Sequence, residues 1–363
     1  MKITDVKAYL LAIPCQEEKF PTPWVWGNFN QIIVAVTTDE GITGYGEAFG
    51  YGVPQATLAV LNHLLKPMLI GADPTDISSL LDRMYRQTHL FGRYGITTFA
   101  ISGVDIALWD IAGKCAGLPL YRLLGGASST KVPAYASLVR YSDPEHLKTA
   151  ARHAKQSGYD QIKLHQRDVE SLRTVRQLVG EDTLLMMDIN CAWSPEKALE
   201  MARQLAPYAL YWLEEPIWPP EDFRSLAKLG RLSGTPLAAG ENACTAYQFK
   251  EMLDAGAVTF IQPSVIKVGG VSEWRKVAAL AEAYNVKIAP HSPYFGPGLL
   301  ATAHLVAASP FAESIEYLYV TLAASVFQQP PTLAQGYFHL PQGPGLGLEI
   351  DLDVLKNYAV ASY

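Results

Sequence analysis

The chain has 363 residues, of which 49% are hydrophobic and 18% are charged, and its formal net charge is −6. This composition is typical of a folded globular chain and excludes extensive disorder. The acidic balance and the lack of any Lys/Arg cluster predict no nucleic acid and no anionic membrane surface as a partner, so the expected partner is a small molecule.

The cysteine spacing and the N-terminal residues predict the cellular compartment of the protein. Cys15, Cys115, Cys191 and Cys244 lie far apart and form no CxxC pair, which favours reduced thiols over a disulfide framework. The opening MKITDVKAYLLAIP alternates like a strand and differs from a signal peptide, and no apolar run reaches about 18 residues. We therefore expect a cytoplasmic protein that does not cross a membrane.

Residues 1–125 show strand patterns followed by helical patterns, which predicts an α+β domain. Asp39, Glu40 and Gly41 supply a turn between the second and third strands. The predicted strands are KITDVKAYLLAI, QIIVAVTTDEG and ITGYGEA, and the predicted helices are PQATLAVLNHLLKPML, TDISSLLDRMYRQTHL and TTFAISGVDIALWDIAGKCAG.

Residues 126–316 alternate between apolar strand candidates and amphipathic helical stretches, with strand starts every ~23 to 30 residues. Eight such strands predict an α/β fold built on a modified (β/α)8 TIM barrel, with all C-terminal strand ends at one mouth. The Pro/Gly-rich residues 317–363 are expected to pack back on the first domain. The strand candidates are VPAYASL, QIKLH, LLMMDI, LYWLEE, PLAAGE, VTFIQPS, VKIAPH and ESIEYL.

Three acids close successive strand candidates at nearly even intervals. Asp188, Glu214 and Glu241 are 26 and 27 residues apart, which is about one β/α unit. Their carboxylates would repel one another at one mouth of the barrel, whereas a divalent cation with oxygen ligands would hold them together. The spacing therefore predicts a metal site.

Other polar residues also lie at predicted strand ends. Lys163 and His165 are two apart on the second strand and so share a face. Asn190 and Asn242 follow the third and fifth strands. The sixth, seventh and eighth strands end at Ser264, His291 and Glu316.

The chain resembles the enolase superfamily, in the group of mandelate racemase and muconate lactonizing enzyme, over essentially its whole length. Besides the acids, the resemblance rests on TTDEGITGYGEA, ALWDIAGKCAGLPLYRLLGG, KVGGV and PGLGLEID. It implies a capping domain over the barrel and a homo-oligomer. It also implies Mg²⁺ bound by Asp188, Glu214 and Glu241, which holds a substrate carboxylate so that the neighbouring carbon loses a proton and a metal-stabilised enolate forms.

The resemblance also implies roles for the remaining strand-end residues. Lys163 assists electrostatically, and Glu316 lies beside the substrate. Asn190 and Asn242 orient the metal-binding carboxylates. The cap loop FPTPWVWGNFN, with Trp24 and Trp26, and the loop from Phe49 to Val53 are expected to cover the barrel mouth and contact substrate.

Departures from the family pattern bear on the reaction. His165 stands where relatives commonly carry a lysine base, and a histidine needs less pKa adjustment near neutrality. Ser264 stands where mandelate racemase-like members carry the aspartate partner of the seventh-strand histidine, here His291. Lys267 belongs to the common glycine turn, and we interpret it as structural. Ser264 is kept as a candidate substrate-binding residue.

Two histidines, His165 and His291, would face each other across a metal-bound carboxylate. If one removes the proton and the other protonates a departing hydroxyl, the enzyme is a dehydratase of hydroxy or sugar acids, which we favour. If the second returns the proton, it is a racemase or epimerase. Because Ser264 breaks the family dyad, a catalytically silent metal-dependent carboxylate binder is a third alternative.

Overall fold

The structure is a computed structural model that describes residues 1–16, 27–127 and 129–362. An antiparallel sheet with helices, which we call the cap, lies against a parallel barrel surrounded by helices. The predicted architecture of a capping domain and an eight-stranded α/β barrel is confirmed.

The cap sheet is the predicted antiparallel meander. Strand β1 covers Ile3–Gln16, β2 covers Asn28–Thr38 and β3 covers Thr43–Ala48, and β2 pairs with both of the others. The β2–β3 turn closes through the Thr38 amide, which donates to the Ile42 carbonyl at 3.0 Å. Gly41 has φ +79°, so the predicted turn residues do form the turn.

The cap helices pack on one face of this sheet. Helix α4 is long and apolar enough to span a membrane by length and composition, but 78% of its most apolar window is buried inside the fold, as in a core helix. A Cβ on Gly46 of β3 would lie 1.9 Å from the Gly103 carbonyl oxygen of α4, so the GYG motif permits this close contact. The helical segments are α1 Pro54–Val60, a π-helical turn Leu61–Leu65, α2 Lys66–Leu69, α3 Ile77–Gln87, α4 Ile96–Ala116 and α5 Leu120–Leu123.

Eight parallel strands form the barrel. Neighbours pair in chain order from β4 to β10, β11 pairs with β4, and a bridge between Ile288 and Ala312 links β10 to the segment that leads into β11. Asp188 and Glu214 are in register on adjacent strands, which places both acids at the same mouth. The strands are β4 Lys131–Ser137, β5 Gln161–Leu164, β6 Leu184–Asp188, β7 Trp212–Glu214, β8 Leu237–Ala239, β9 Phe260–Ile261, β10 Lys287–Ile288 and β11 Ile315–Leu318.

The barrel helices that start at Pro144, Val169, Pro195 and Phe223 begin after polar capping residues and bury one apolar face. Asp143, Asp168, Ser194 and Asp222 each accept a backbone N–H from the first turn, which stabilises a helix by roughly 1 kcal/mol per cap. The helices are α6 Pro144–Gln156, α7 Val169–Val179, α8 Pro195–Leu205, a 3₁₀ turn Ala206–Tyr208, α9 Phe223–Ser233, α10 Thr245–Asp254, α11 Val265–Val268, α12 Gly270–Tyr284 and α13 Pro297–Ala307.

The C-terminal segment contacts both units. As expected, part of it returns to the cap, where β12 and β15 each pair antiparallel with β1. In addition, β14 pairs antiparallel with the barrel strand β4, and Phe338 of β14 is fully buried. These strands are too short to show alternation, so the sequence did not predict this hairpin. The elements are β12 Thr321–Leu322, β13 Leu333–Ala334, β14 Tyr337–His339, α14 Leu352–Tyr358 and β15 Ala359–Ser362.

The cap and barrel are joined by polar contacts around the glycine turn before α12. Asp105 of α4 accepts the backbone N–H of Ser272 at 3.0 Å and its hydroxyl at 2.5 Å. Gly270 has φ +82°, and a Cβ there would lie 2.3 Å from Asp105 Oδ1. The KVGGV motif thus fixes how α4 approaches the barrel.

Candidate active site

A cavity of about 690 Å³ lies between the cap and the C-terminal ends of the barrel strands. Its size is within the usual range for small-molecule sites. Cap residues from the β1 end, the β2 start and the loop after β3 form one wall, and barrel loops form the other. The predicted site residues that line it are His165, Asp188, Asn190, Glu241, His291 and Glu316.

Lys163 lies fully buried below this cavity, among three acids. Its Nζ lies 2.8 Å from Glu214 Oε1, 2.9 Å from Glu316 Oε1 and 3.5 Å from Asp188 Oδ2. Burial opposes its charge, but Glu214 and Glu316 outweigh burial and raise the pKa of Lys163 well above its ordinary value. Lys163 is therefore a fixed positive charge and is unsuited to act as a base.

His165 is held by the loop that follows β4. Its Nδ1 lies 2.6 Å from the Leu138 carbonyl oxygen, which can only accept a hydrogen bond. This contact places a ring proton on Nδ1, so proton exchange with a substrate would take place at Nε2. Nε2 lies 3.2 Å from Asp188 Oδ2 at the cavity, so the geometry suits a general base.

The three predicted metal ligands are hard oxygen donors on adjacent strands, which is the donor set that Mg²⁺ prefers. The charge of Asp188 acts on both Glu214 and Glu241. Burial disfavours ionised Asp188, but Lys163 and His165 outweigh burial and hold its pKa well below the ordinary value. Within the described residues no three such groups are gathered closely enough to hold an ion as they stand. Asp188 and Glu214 pair with Lys163, and Glu241 pairs with His291. The donor chemistry fits the ion, and binding it would replace these pairings.

His291 and Ser264 do not form a dyad here. His291 Nε2 lies 2.5 Å from Glu241 Oε2, while its buried Nδ1 has no hydrogen-bond partner among the described residues. Ser264 is 1% exposed and begins α11, and it does not line the cavity. That Ser264 binds substrate stays a prediction.

Glu215 is a buried acid that was not among the predicted site residues. It accepts hydrogen bonds from Asn242 Nδ2 at 2.8 Å and from Cys191 Sγ at 3.3 Å. Burial and the charges of Glu241 and Asp188 raise its pKa to about 8. Asn242 thus holds Glu215 more closely than its neighbour Glu241, which is 3.5 Å away. The available signal was the paired acid in LEEP.

Asn190 contacts Asp188 through two hydrogen bonds. Its backbone N–H and its side-chain Nδ2 donate to Asp188 Oδ1 at 2.8 and 3.0 Å. Its Oδ1 accepts from Arg140 Nη2 at 2.8 Å, and Arg140 lines the cavity. Arg140 follows the first barrel strand and was not predicted, because the predicted strand-end residues start at the second strand.

Lys267 was interpreted as structural, but it lines the cavity. Its Nζ lies 4.9 Å from the centre of the Phe49 ring, and its charge acts on Glu241 and Glu215. Burial opposes the charge of Glu241, but His291 and Lys267 lower its pKa to about 2. Lys267 therefore contributes positive charge to the site as well as belonging to the turn.

The cap loop after β3 lines the cavity through Phe49, Gly50, Tyr51 and Gly52, in agreement with its expected place at the barrel mouth. Trp24 and Trp26 lie outside the described residues, and their contact with substrate stays a prediction.

Comparison with known proteins extends the likeness over the whole chain. A family model described as enolase C-terminal domain-like matches residues 146–354, and one for the N-terminal domain of mandelate racemase and muconate lactonizing enzyme matches residues 26–125. The chain is 35% identical over 343 residues to the arabinonate dehydratase of Saccharolobus solfataricus, covering 91% of each chain.

Two solved structures agree over nearly every residue. The 3,6-anhydro-D-galactonate cycloisomerase from Zobellia galactanivorans has a TM-score of 0.91 at 30% identity, covering 99% of this chain and 100% of that one. A racemase from Streptomyces coelicolor A3(2) with bound magnesium has a TM-score of 0.88 at 32% identity, with the same coverage. These relatives are named as enzymes, which sets aside the alternative of a catalytically silent binder. The chain belongs to the enolase superfamily, in the mandelate racemase and muconate lactonizing enzyme group, and it is an enzyme.

Proposed function

We propose that the protein is a Mg²⁺-dependent dehydratase of hydroxy acids, most specifically of sugar acids. The observation that carries this proposal is the pair of imidazoles that contact two different members of the acid set. His165 on the second barrel strand contacts Asp188, and His291 after the seventh contacts Glu241. The relative named arabinonate dehydratase supports the choice of reaction and of substrate class.

Asp188, Glu214 and Glu241 would hold the ion and, with it, the substrate carboxylate. When bound, Mg²⁺ supplies positive charge that stabilises the negative charge developing on that carboxylate as the proton leaves. Lys163, which is permanently charged, adds to this stabilisation from below. His165 removes the proton through Nε2, because its Nδ1–H is committed to the Leu138 carbonyl.

The second half of the reaction needs an acid on the other side of the substrate. His291 would give a proton to the departing hydroxyl, which leaves as water. The enol that remains then becomes a 2-keto acid. In the structure His291 Nε2 lies 2.5 Å from Glu241 Oε2, and no aspartate stands at position 264. When Glu241 holds the ion, this pairing would be replaced and His291 would face the substrate.

A screen of sugar and hydroxy acids with Mg²⁺ in deuterated water tests the proposal. We expect 2-keto acid to form from at least one sugar acid, and to depend on the metal. If no acid in the screen gives either keto acid or deuterium exchange, the proposed function is wrong.

A racemase or epimerase is the second candidate, supported by the structural neighbour described as a racemase. In that case both histidines act as bases on opposite faces. Deuterium incorporation or inverted configuration without keto acid in the same screen would establish it. Cytoplasmic location and homo-oligomerisation stay predictions from the sequence.

A further inference from the structure

Helix α13, which follows the seventh barrel strand, takes its capping group from the cap. Gly296, the residue before this helix, has no side chain that could cap the first turn, whereas α6, α7, α8 and α9 each use their own Asp or Ser. Instead, Glu47 of the cap strand β3 reaches across, and its Oε2 accepts the Gly298 N–H at 2.9 Å. Glu47 is 2% exposed, so a buried carboxyl group joins the cap to the barrel here.

Two glycines make room for this carboxyl group. A Cβ on Gly296 would lie 2.7 Å from Glu47 Oε2, and a Cβ on Gly298 would lie 3.0 Å from the same atom. Burial raises the pKa of Glu47 to about 8, although the N–H groups of Gly298 and Gly296 act in the opposite direction. The carboxyl group is therefore mostly protonated near neutral pH, and a glutamine would match it in shape and charge.

The same turn of α13 is in contact with the loop that carries His291. The Gly298 carbonyl accepts from Thr302 Oγ1 at 2.8 Å, and Thr302 Oγ1 lies 3.3 Å from the Tyr294 hydroxyl oxygen. The Tyr294 hydroxyl donates to the His291 carbonyl at 2.9 Å. A short path of buried contacts thus leads from Glu47 to the backbone of His291.

Glu47 also adjoins the cap loop at the barrel mouth. It is the second-last residue of β3, and the loop that follows lines the cavity through Phe49, Gly50 and Tyr51. Glu47 itself lines this cavity together with Tyr294 and His291. One side chain is therefore placed to connect the cap loop with the loop after the seventh strand.

We propose that Glu47 is a positioning residue through which the cap holds His291 in place for its proton transfer. The inference rests on the proposed function, in which His291 is the acid. Loss of Glu47 should impair the step made by His291 more than the step made by His165, because a separate contact with the Leu138 carbonyl holds the ring of His165.

Deuterium exchange separates the two steps. In deuterated water His165 removes the substrate proton and can return a deuteron, so recovered substrate gains deuterium whenever the His291 step does not follow. The quantity measured is the ratio of deuterium gained by recovered substrate to keto acid formed. We expect Glu47→Ala to raise this ratio by about 10- to 100-fold, since a small misplacement of a reacting group has an effect of this size. Glu47→Gln keeps an acceptor for the Gly298 N–H and should restore the wild-type ratio.

Asp105→Ala is the matched control. Asp105 is likewise a buried carboxyl group of the cap that accepts a backbone N–H near the start of a barrel helix, that of Ser272 in α12 at 3.0 Å. Whatever this variant loses in stability or turnover, its ratio should equal that of the wild type. Tyr294→Phe breaks the path at its other end and keeps the ring, so it should raise the ratio even if Glu47→Ala does not fold.

Equal losses of exchange and keto acid in Glu47→Ala, or an unchanged ratio in Tyr294→Phe, would overturn the inference, because the contact would then serve stability alone. An equal rise of the ratio in Asp105→Ala would also overturn it, since any loosening of the cap would then act on His291. If the wild type inverts configuration without forming keto acid, the inverted acid replaces keto acid in the ratio and the same expectations hold. If the wild type gives neither product nor exchange, the proposed function itself fails, and this inference fails with it.

Discussion

At the scale of single residues, the loop after β4 determines what His165 can do. The Leu138 carbonyl accepts the ring N–H, and Arg140 holds the His165 carbonyl from the same loop. One side chain therefore has its tautomer, its ring orientation and its backbone fixed by a neighbouring strand end. Such positioning by surrounding hydrogen bonds is what distinguishes a base from a surface histidine.

His165→Asn should remove the base and keep this geometry. The asparagine amide can still donate to the Leu138 carbonyl, but it has no group that takes up a proton. We expect kcat to fall by about 10²- to 10⁴-fold, the usual contribution of a general base, with Mg²⁺ affinity within a few-fold of wild type. Steady-state kinetics and a metal titration measure the two quantities.

His146→Asn is the matched control, because His146 lies on the outer face of α6 and, in the part of the chain that the structure describes, pairs only with Asp143 at 3.8 Å. It should leave both quantities unchanged. If His165→Asn loses Mg²⁺ binding, then His165 supports the metal site and is not the base.

At the scale of elements, α13 is tied to the C-terminal segment by one buried histidine. His304 Nε2 lies 3.1 Å from the Leu346 carbonyl, and the ring stacks on Tyr121 with centres 5.7 Å apart. Burial lowers the pKa of His304 from 6.5 to about 4. The folded state thus resists a proton that the unfolded chain accepts.

Because the pKa of His304 is lower in the folded state than in the unfolded chain, the protein loses stability as the pH falls. The contribution of neutral His304 to the free energy of unfolding is complete above pH 6.5. It decreases by about 3 kcal/mol at most as the pH falls from 6.5 towards 4. His304→Gln keeps a donor for Leu346 but does not titrate. Urea curves at several pH values give the free energy of unfolding of both proteins. The excess of the wild type over this variant should decrease as the pH falls from 6.5 to 4. Parallel curves for the two proteins would contradict the argument, since the other ionisable groups cancel in the difference.

The turn before α12 is the element that sets the cap against the barrel. Gly270→Ala should destabilise the protein for two reasons, the positive φ and the contact of its Cβ with Asp105. Gly180→Ala is the matched control, because Gly180 has φ +81° but open space around the added carbon. We expect backbone strain to lower the free energy of unfolding by about 1 kcal/mol in the control. Gly270→Ala should lower it by at least about 2 kcal/mol more. Urea midpoints measure both, and equal losses would mean that the contact with Asp105 is unimportant.

At the scale of the whole molecule, the features that the sequence predicted are those that depend on the periodic pattern of apolar residues. The barrel followed from eight apolar runs, and the acids that close them, such as Asp188 and Glu214, lie together as expected. The sequence did not predict the positions of three other residues in the site, because these positions depend on contacts between strand ends. They are Glu215, Arg140 and Lys267. Glu215, for example, has φ +38°, and Asn242 and Cys191 bind its side chain. Nothing in a local pattern encodes such contacts.

The C-terminal segment connects both units, and its last part supports the cap. Strand β15 pairs with β1 at Tyr9, Leu10 and Leu11, and the last two side chains are almost fully buried. Deleting residues 352–363 removes α14 and β15 and leaves this edge of β1 unpaired. The barrel strands keep their described partners, because β14, which pairs with β4, precedes the deletion.

We therefore expect the deletion to loosen the cap selectively. Amide hydrogen exchange over residues 8–13 should speed up by about tenfold or more, while exchange in β5 and β6 stays at the wild-type rate. Because the cap forms one wall of the cavity, we expect KM for the substrate to rise by a larger factor than kcat falls. Faster exchange in β5 and β6 as well would show instead that the last residues stabilise the molecule as one cooperative unit, and that the cap does not unfold separately from the barrel.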